Sequence, residues 1–236
     1  MYEDSACLEM LFKNAAPDVA SRIGWARDAG YRAFEFWHWS NKDLDAIERA
    51  KDAAGIDVTG FLMEPQTRLV NPAEHGEFLQ GLAKSIFVAQ RFKAPFLFMQ
   101  GGHPLEGVGR DEQTAAMVDA LQKAANVLRG SGVTLLLEPV SDNPGCFLDL
   151  GAEGLDIVER VNRPEVRLLF DVYHSMVMGE DFMAAIADRI DLIGHVHLAD
   201  FPGRGAPGTG KQDLNAIKEW FRIEGYTGRF GLEYIE

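Results

Sequence analysis

Short apolar runs alternate along this chain with amphipathic helical patterns, and this alternation is the feature that most restricts its fold. The runs span Ala6–Phe12, Tyr31–Trp37, Asp57–Met63, Pro95–Gln100, Thr134–Glu138, Val166–Asp171, Leu192–Leu198 and Arg229–Ile235. Turn residues bound the runs, as expected for strands that are covered on both faces. Because seven helical patterns separate the eight runs, the sequence predicts an α/β fold, a (β/α)8 TIM barrel, with a doubly wound open sheet as the alternative.

The helical patterns carry the boundary residues that helices require. The first is expected to run from about Pro17 to Gly30, the second ends at Gly55, and Asp213 is a candidate N-cap for the last. Since the chain ends at Glu236, directly after the eighth run, we expect no closing helix outside the last strand. We expect a partner subunit or a further segment to cover the apolar surface that this leaves, and hence a homo-oligomer.

Composition disfavours several classes of function. Of the 236 residues, 36 are acidic and 23 are lysine or arginine, which gives a net charge of −13. An acidic chain without a basic run is a poor partner for nucleic acid or an anionic membrane. The first residues lack a signal-peptide pattern, and no apolar run reaches membrane-spanning length. With only Cys7 and Cys146 present, we expect reduced thiols and a cytoplasmic protein.

A polar residue lies at or near the end of each of the last four apolar runs. Glu138, Asp171, His197 and Glu233 follow one another at spacings of 33, 26 and 36 residues, about one strand–helix unit each. In a barrel, the C-terminal ends of consecutive strands surround one centre, so we expect these side chains to converge. Three carboxylates and one imidazole would bind a divalent metal and leave carboxylates available for proton transfer.

Each of these residues also has a structural interpretation. Glu138 alone could form a salt bridge with a loop arginine, and Glu233 could be a terminal surface charge. His195 and His197 share one face of their strand. We assign the ligand role to His197 because it lies nearer the strand end, and a structural role to His195. The regular spacing of the four residues favours the metal site.

Two further residues are candidates for substrate binding. His174 follows Asp171 in a D-x-x-H pattern and could face substrate, or could order a loop through an Asp–His hydrogen bond. The loop PGRGAPGTGK matches two nucleotide-binding patterns literally. However, Gln212 stands where the second pattern needs Ser or Thr, and Pro207 would disturb a phosphate cradle. We therefore expect this loop to cover the barrel mouth, with Arg204 near a substrate oxygen.

Other strand ends carry weaker signals. For His38, Gln100 and His103 we expect packing or exposure at the rim, although the aromatic patch FEFWHW around His38 could wall a small pocket. No G-x-S-x-G motif occurs, so the sequence offers no nucleophile elbow of a hydrolase.

Three segments resemble the hydroxypyruvate isomerase family, which belongs to the xylose isomerase-like TIM-barrel sugar isomerases and epimerases. The segments are LLLEPVSDNPGCFL, LLFDVYHSMVMGED and IGHVHLADFPGRGAPGTG. The resemblance implies a single TIM-barrel domain over residues 1–236 and a divalent metal on the four strand-end residues. It also places His174 and Arg204 at the family's substrate-facing histidine and arginine. The ligand set suits Mn²⁺ or Mg²⁺.

Two positions leave the substrate open. His197 stands where many hydroxypyruvate isomerases carry glutamine, and histidine there is more typical of ketose 3-epimerases and inosose-type relatives. The second glutamate of ketose epimerases has no counterpart in the stretch Ser141–Gly145.

The resemblance implies metal-assisted proton transfer next to a carbonyl through an enediolate. Glu138 and Glu233 would act as base and acid on opposite sides of the bound carbons. Return of the proton to the neighbouring carbon gives aldose–ketose isomerisation, as of hydroxypyruvate, whereas return to the same carbon gives epimerisation. The remaining alternatives are an AP endonuclease, which would need a basic DNA groove, and a non-catalytic sugar-binding barrel.

Overall fold

The structure is a computed structural model that describes residues 4–141 and 145–236. Within these ranges, eight parallel strands form one closed barrel in which β1 pairs with β8. The strands are β1 Asp4–Cys7, β2 Ala33–Phe36, β3 Asp57–Leu62, β4 Phe96–Gln100, β5 Thr134–Glu138, β6 Val166–Asp171, β7 Ile193–Leu198 and β8 Phe230–Leu232. The predicted (β/α)8 barrel is therefore confirmed, and closure excludes the open sheet.

Helices cover the outside of this barrel. They are α1 Val19–Asp28, α2 Leu44–Ala54, α3 His75–Phe92, α4 Arg110–Leu128, α5 Gly151–Val161, α6 Val172–Val177, α7 Phe182–Ile186 and α8 Leu214–Ile223. Both α6 and α7 lie between β6 and β7, so the part of the chain that is described has one helix more than predicted. None of the described helices combines the length and apolar character needed to cross a bilayer.

Most predicted boundaries are close to the observed ones, and the exceptions have local causes. Gly55 ends α2 with a φ of 67°, and Asp213 caps α8, as predicted. However, α1 begins at Val19 because Asp18, rather than a residue before Pro17, provides the N-cap. Likewise β1 ends at Cys7 instead of Phe12, because the chain turns there and Leu11 N donates to Cys7 O at 2.9 Å.

The last predicted strand and the residues after it differ only in part from the structure. Residues 233–236 follow β8 without a further helix, as predicted. The predicted last strand is too long, because β8 ends at Leu232. The sequence analysis also noted that Ser141–Gly145 lacks the second glutamate of ketose epimerases. Residues 142–144 of this stretch lie outside the described residues.

Two apolar layers hold the barrel together. The larger lies between strands and helices. The smaller fills the barrel interior with Phe98, Leu136 and Leu169, against which Leu62 and Phe96 pack. The lining becomes polar beyond this inner layer, towards the C-terminal ends of the strands, where the active sites of such barrels lie.

Candidate active site

The inner apolar layer determines which side chains reach the barrel mouth, because residues two apart on a strand point to the same face. Leu136 on β5 points inward, so Glu138 does as well. Strands β6 and β7 repeat this arrangement with Asp171 and His197, and Glu233 directly follows β8. The four residues that the sequence analysis selected as metal ligands therefore lie together at this end of the barrel.

These four side chains form a tight, buried cluster. Each offers one ligand atom, and these atoms all lie within 4.8 Å of one another. His197 Nδ1 lies 3.6 Å from Glu138 Oε1 and 3.5 Å from Glu233 Oε2. Ligand atoms that surround Mg²⁺ at about 2.1 Å lie up to roughly 4.2 Å apart. Small side-chain shifts would therefore bring all four donors onto a single ion.

The surroundings of His197 fit a cation. Its Nε2 donates to Glu35 Oε2 at 2.7 Å, whereas Nδ1 is buried and has no hydrogen-bond partner among the described residues. Burial opposes a positive charge on this imidazole, but Glu35 and Glu233 outweigh burial and raise the pKa of His197. The cluster thus favours a positive charge at Nδ1, which a divalent ion would supply in place of a proton.

Glu35 on β2 is a site residue that the sequence analysis missed. Its carboxylate accepts hydrogen bonds from His195 Nε2 at 3.1 Å and from His197 Nε2 at 2.7 Å. Burial favours the neutral form of Glu35, but the two histidines outweigh burial and hold its pKa well below the usual range. Glu35 thereby fixes the ring orientation of His197, with Nδ1 directed at the other donors.

A glycine on β8 makes this contact possible. A Cβ atom at Gly231 would lie 2.6 Å from Glu35 Oε1 and 2.8 Å from His195 Nε2. Since real Cβ atoms do not approach other atoms so closely, any side chain at Gly231 would displace the carboxylate and the imidazoles. Glycine in the short run FGLE was therefore a sequence signal for a group that packs against the β8 backbone.

The two glutamates of the cluster differ in their electrostatic surroundings. Burial raises the pKa of Glu138, and His197 offsets this only in part. Burial also opposes the ionisation of Glu233, but His197 and Arg204 outweigh burial and lower its pKa below the usual range. Such a difference suits a pair in which one carboxyl group carries a proton and the other accepts one.

Glu233 is held through both of its oxygens. Oε1 accepts hydrogen bonds from Trp37 Nε1 at 2.9 Å and from Cys7 Sγ at 3.4 Å. Burial raises the pKa of the Cys7 thiol, which keeps it protonated as a donor. Oε2 accepts from Arg204 Nη2 at 2.6 Å. The sequence analysis did not predict the contacts of Cys7 and Trp37 with Glu233. It considered Trp37 only as part of the aromatic patch around His38, and Cys7 only as a reduced thiol.

Arg204 lies in the glycine-rich loop, and this loop is fixed to the barrel by Asp200. The Asp200 carboxylate accepts hydrogen bonds from Gly208 N at 2.8 Å and from Gln212 N at 3.1 Å. Besides Glu233, the Arg204 guanidinium approaches Asp171 Oδ2 at 3.4 Å. Arg204 therefore contacts two of the metal-ligand candidates, and its contact with a substrate stays a prediction.

His174 is buried beside the same cluster. Its Nδ1 accepts a hydrogen bond from Ser141 N at 3.3 Å and lies 2.8 Å from Ser141 Oγ. With Nδ1 as an acceptor, the proton of the neutral ring lies on Nε2, which is 3.5 Å from Asp171 Oδ2. The other Asp171 oxygen, Oδ1, accepts hydrogen bonds from Tyr173 N at 2.8 Å and His174 N at 3.2 Å and so caps α6.

A cavity of about 370 Å³ opens beside the cluster. Its lining includes all the predicted site residues except Asp171, namely Glu138, His174, His197, Arg204 and Glu233. Asp171 contacts two of these lining residues, with its Oδ2 3.5 Å from His174 Nε2 and 3.4 Å from Arg204 Nη2. Apolar and aromatic walls with a few converging polar groups are typical of small-molecule sites.

Three residues that were expected to pack or to lie at the rim divide into two groups. His38 and Gln100 line the cavity, so packing alone does not describe them. The His38 ring also contacts Glu64, with 3.0 Å between Nδ1 and Oε1. His103 does not belong to the cavity lining, and its Nδ1 lies 3.1 Å from Gly145 O.

The chain as a whole is similar to a known family and to several curated proteins. The family model described as xylose isomerase-like TIM barrel matches residues 23–236. A Streptomyces coelicolor protein named "Putative hydroxypyruvate isomerase" is 31% identical, over 92% of this chain and 85% of the relative. The hydroxypyruvate isomerase of Escherichia coli is 26% identical, over 99% of this chain and 93% of the relative.

A second kind of isomerase and a solved structure also match this chain. The 2-oxo-tetronate isomerase of Cupriavidus necator is 26% identical, over 98% of this chain and 91% of the relative. Among solved structures, a protein described as AP endonuclease, family 2, from Brucella melitensis has a TM-score of 0.91 at 26% identity. That match covers 99% of this chain and 93% of the other.

Proposed function

This chain is an isomerase of the xylose isomerase-like TIM-barrel family, in its hydroxypyruvate isomerase branch, and on that premise we propose that it moves a proton between adjacent carbons of a small hydroxy-carbonyl compound with the help of a divalent cation. The observation that carries this proposal is the cluster of three buried carboxylates and an imidazole whose ligand atoms lie within 4.8 Å of one another. Oxygen-rich sites of this kind suit Mn²⁺ or Mg²⁺.

The metal ligands in this proposal are Glu138, Asp171, His197 and Glu233. A bound divalent ion would supply Lewis-acid stabilisation of the negative charge that develops when a proton leaves carbon beside a carbonyl. Glu35 would keep His197 in the tautomer and orientation that direct Nδ1 at the ion.

The proton transfer itself is assigned to Glu138 and Glu233. The lowered pKa of Glu233 keeps this carboxylate ionised, as a proton acceptor must be, and the raised pKa of Glu138 suits a group that donates a proton. This order of base and acid is the reverse of the one that the sequence analysis gave for the pair. Trp37 and Cys7 hold Glu233 Oε1, so the carboxylate cannot rotate freely. His174 and Arg204 would bind substrate oxygens beside the reacting carbons.

The names of the relatives supply the candidate substrates. Hydroxypyruvate and 2-oxo-tetronate both carry a carbonyl next to a hydroxylated carbon, as this chemistry needs. Epimerisation, in which the proton returns to the same carbon, is the second candidate, because His197 occupies a position where ketose epimerases also carry histidine. An AP endonuclease activity, which the description of the Brucella melitensis structure names, is disfavoured for this chain by its net charge of −13.

We also propose that residues 1–236 form one domain that acts in the cytoplasm on a small molecule, without a nucleic-acid or membrane partner, as a homo-oligomer. Closure of one barrel by all eight strands supports a single domain. Phe87 and Ile223 have exposed fractions of 73% and 74% and would be covered by a subunit contact. Light scattering on the purified protein measures the oligomeric state.

The experiment that tests the function compares the purified protein after EDTA treatment and after Mn²⁺ is restored. We expect turnover of hydroxypyruvate or 2-oxo-tetronate only with metal, and deuterium from solvent at the carbon next to the carbonyl. Glu138→Gln and Glu233→Gln should each lower kcat by about 100-fold or more, since general acid–base catalysis contributes 10²–10⁴.

Glu77→Gln, an exposed position on α3, is the matched control and should leave kcat unchanged. Full activity of both site variants, or of the metal-free protein, would contradict the proposed mechanism.

A further inference from the structure

The cavity extends well beyond the four metal-ligand candidates. Those candidates lie at the ends of β5 to β8, whereas much of the remaining wall comes from β2 to β4. This second part of the wall, here called the β2–β4 wall, comprises Phe36, Trp37, His38, Leu62, Phe98 and Gln100. The proton transfer assigned to Glu138 and Glu233 uses only Trp37 from this wall. A substrate that fills the cavity therefore reaches past the reacting carbons towards β4.

Gln100 is the residue of this wall best placed to recognise such an extension. It ends β4 and is the register partner of Glu138 on β5. It points inward because it lies two residues after Phe98, whose ring faces His195 in the barrel interior. The carboxamide of Gln100 is therefore next to the carboxylate to which proton transfer is assigned.

The carboxamide of Gln100 has no partner within the described residues. Its backbone N–H donates to Gln66 Oε1 at 3.0 Å, but its side chain forms no hydrogen bond there. Gln66 is different, since its Nε2 donates to Met63 O at 2.7 Å and to Phe98 O at 3.3 Å. Gln66 thus stabilises the loop, and Gln100 alone of the two amides is available to a ligand.

The charge of the wall restricts the group that Gln100 could bind. Among the described residues that line the cavity, Arg204 is the only lysine or arginine, and it contacts Glu233 and Asp171. A phosphate or a second carboxylate would need a cation or several donors near β4. Phe98 and Leu62 line the same cavity, and an amide beside such apolar side chains suits a hydroxyl group, to which it can donate a hydrogen bond or from which it can accept one.

The size of the cavity also favours a substrate with a hydroxyl group near β4. A volume of about 370 Å³ corresponds to about twelve water molecules at ~30 Å³ each. Hydroxypyruvate has fewer non-hydrogen atoms than this number of water molecules, so it would leave part of the cavity unfilled. Its carbon chain also ends at the second of the two reacting carbons. A four-carbon hydroxy-keto acid adds one hydroxymethyl group on the side away from its carboxylate, and so can place a hydroxyl at β4 while its carboxylate stays near Arg204.

We propose that Gln100 binds a hydroxyl group on the carbon beyond the reacting pair, and that this selects unphosphorylated hydroxy-keto acids or ketoses of four or more carbons over three-carbon substrates. This assignment rests on the proposed function for the position of the reacting carbons. Gln100 is a specificity-determining residue in this scheme and takes no part in the proton transfer.

The test compares wild type, Gln100→Leu and the control Gln122→Leu, whose side chain is exposed on α4. The ratio of kcat/KM for 2-oxo-tetronate to that for hydroxypyruvate is measured with Mn²⁺ present. Gln100→Leu should lower this ratio by about three- to tenfold, the usual value of one neutral hydrogen bond. Gln122→Leu should leave the ratio unchanged. An unchanged ratio in Gln100→Leu, with normal circular dichroism, would overturn the assignment.

A binding measurement separates this assignment from the proposed function. Calorimetry with Mn²⁺ present compares the unreactive acids erythronate and threonate, of four carbons, with glycerate, of three. We expect a four-carbon acid to bind wild type more tightly than glycerate and to lose that advantage in Gln100→Leu. If this holds while neither ketone is turned over, the proposed reaction fails and the role of Gln100 stands. Equal affinity for all three acids in wild type, or no binding of any, contradicts the role of Gln100.

Discussion

The two halves of the barrel contribute to the site in different ways. The ends of β5 to β8 supply the charged cluster of Glu138, Asp171, His197 and Glu233. The ends of β1 to β4 supply groups that hold or surround this cluster, such as Glu35 against His197 and Trp37 against Glu233. One half therefore carries the charges that a cation requires, and the other half fixes their orientation and forms the wall that a substrate would contact.

The sharpest test of this division replaces a donor of the β5–β8 half. Asp171→Asn keeps a side chain that can cap α6 but removes a negative charge from the cluster. We expect the affinity for Mn²⁺ to fall by at least about 100-fold, the upper end of the effect of residues that only support ligands. Titration calorimetry measures it, with the exposed Asp188→Asn as the control. An affinity within a few-fold of wild type would remove Asp171 from the ligand set.

A replacement in the β1–β4 half should have a smaller effect. Glu35→Gln retains the shape of the side chain but loses the charge that holds the Nε2 protons of His195 and His197. Loss of such a supporting contact costs about 10–100-fold in metal affinity, so binding should weaken without disappearing. The same calorimetry applies, and the circular dichroism spectrum should stay that of wild type. If Glu35→Gln abolished binding as completely as Asp171→Asn, the two halves would not differ in the way described.

The smallest expected effect concerns the loop that carries Arg204. Burial opposes the ionisation of Asp200, but backbone N–H groups of this loop outweigh burial and lower its pKa. A group with a lowered pKa in the folded state stabilises that state above its unfolded pKa, near 3.8, and loses this contribution as the pH falls further. Asp200→Asn should thus lower the free energy of unfolding by about 1–2 kcal/mol at pH 7.

The difference between Asp200→Asn and wild type should shrink between pH 7 and pH 3. Urea unfolding at several pH values measures it, with Asp188→Asn again as the control. A difference that stays constant over this range would show that the charge of Asp200 does not hold the loop.

The same division explains which parts could be predicted from the sequence. Donors such as Glu138 and Asp171 are visible because a carboxylate that ends an apolar run is unusual, and regular spacing links one run to the next. Glu35 carries no such signal, since it lies between two phenylalanines in FEFW and its partner His197 is 162 residues away. A contact of this kind depends on barrel closure and on the space left by Gly231, and neither can be derived from local spacing.

The predicted end of the first strand was wrong for a similar reason. The run Ala6–Phe12 is apolar except for Glu9, but it is a strand only as far as Cys7, where pairing with Glu35 on β2 ends. Beyond Cys7 the apolar side chains of Leu8 and Leu11 are buried in a turn, which hydrophobicity alone cannot distinguish from a strand. The register of neighbouring strands, rather than the residues themselves, decided where this element stops.

The carboxylate of Asp171 has a consequence for how ion binding could be observed. Oδ1 accepts the N–H groups of Tyr173 and His174, while Oδ2 faces the cluster. An ion drawn to Oδ2 would polarise the whole carboxylate and so change the environment of those two amides without touching them. The amide NMR signals of Tyr173 and His174 would then serve as a reporter of occupancy that needs neither substrate nor turnover.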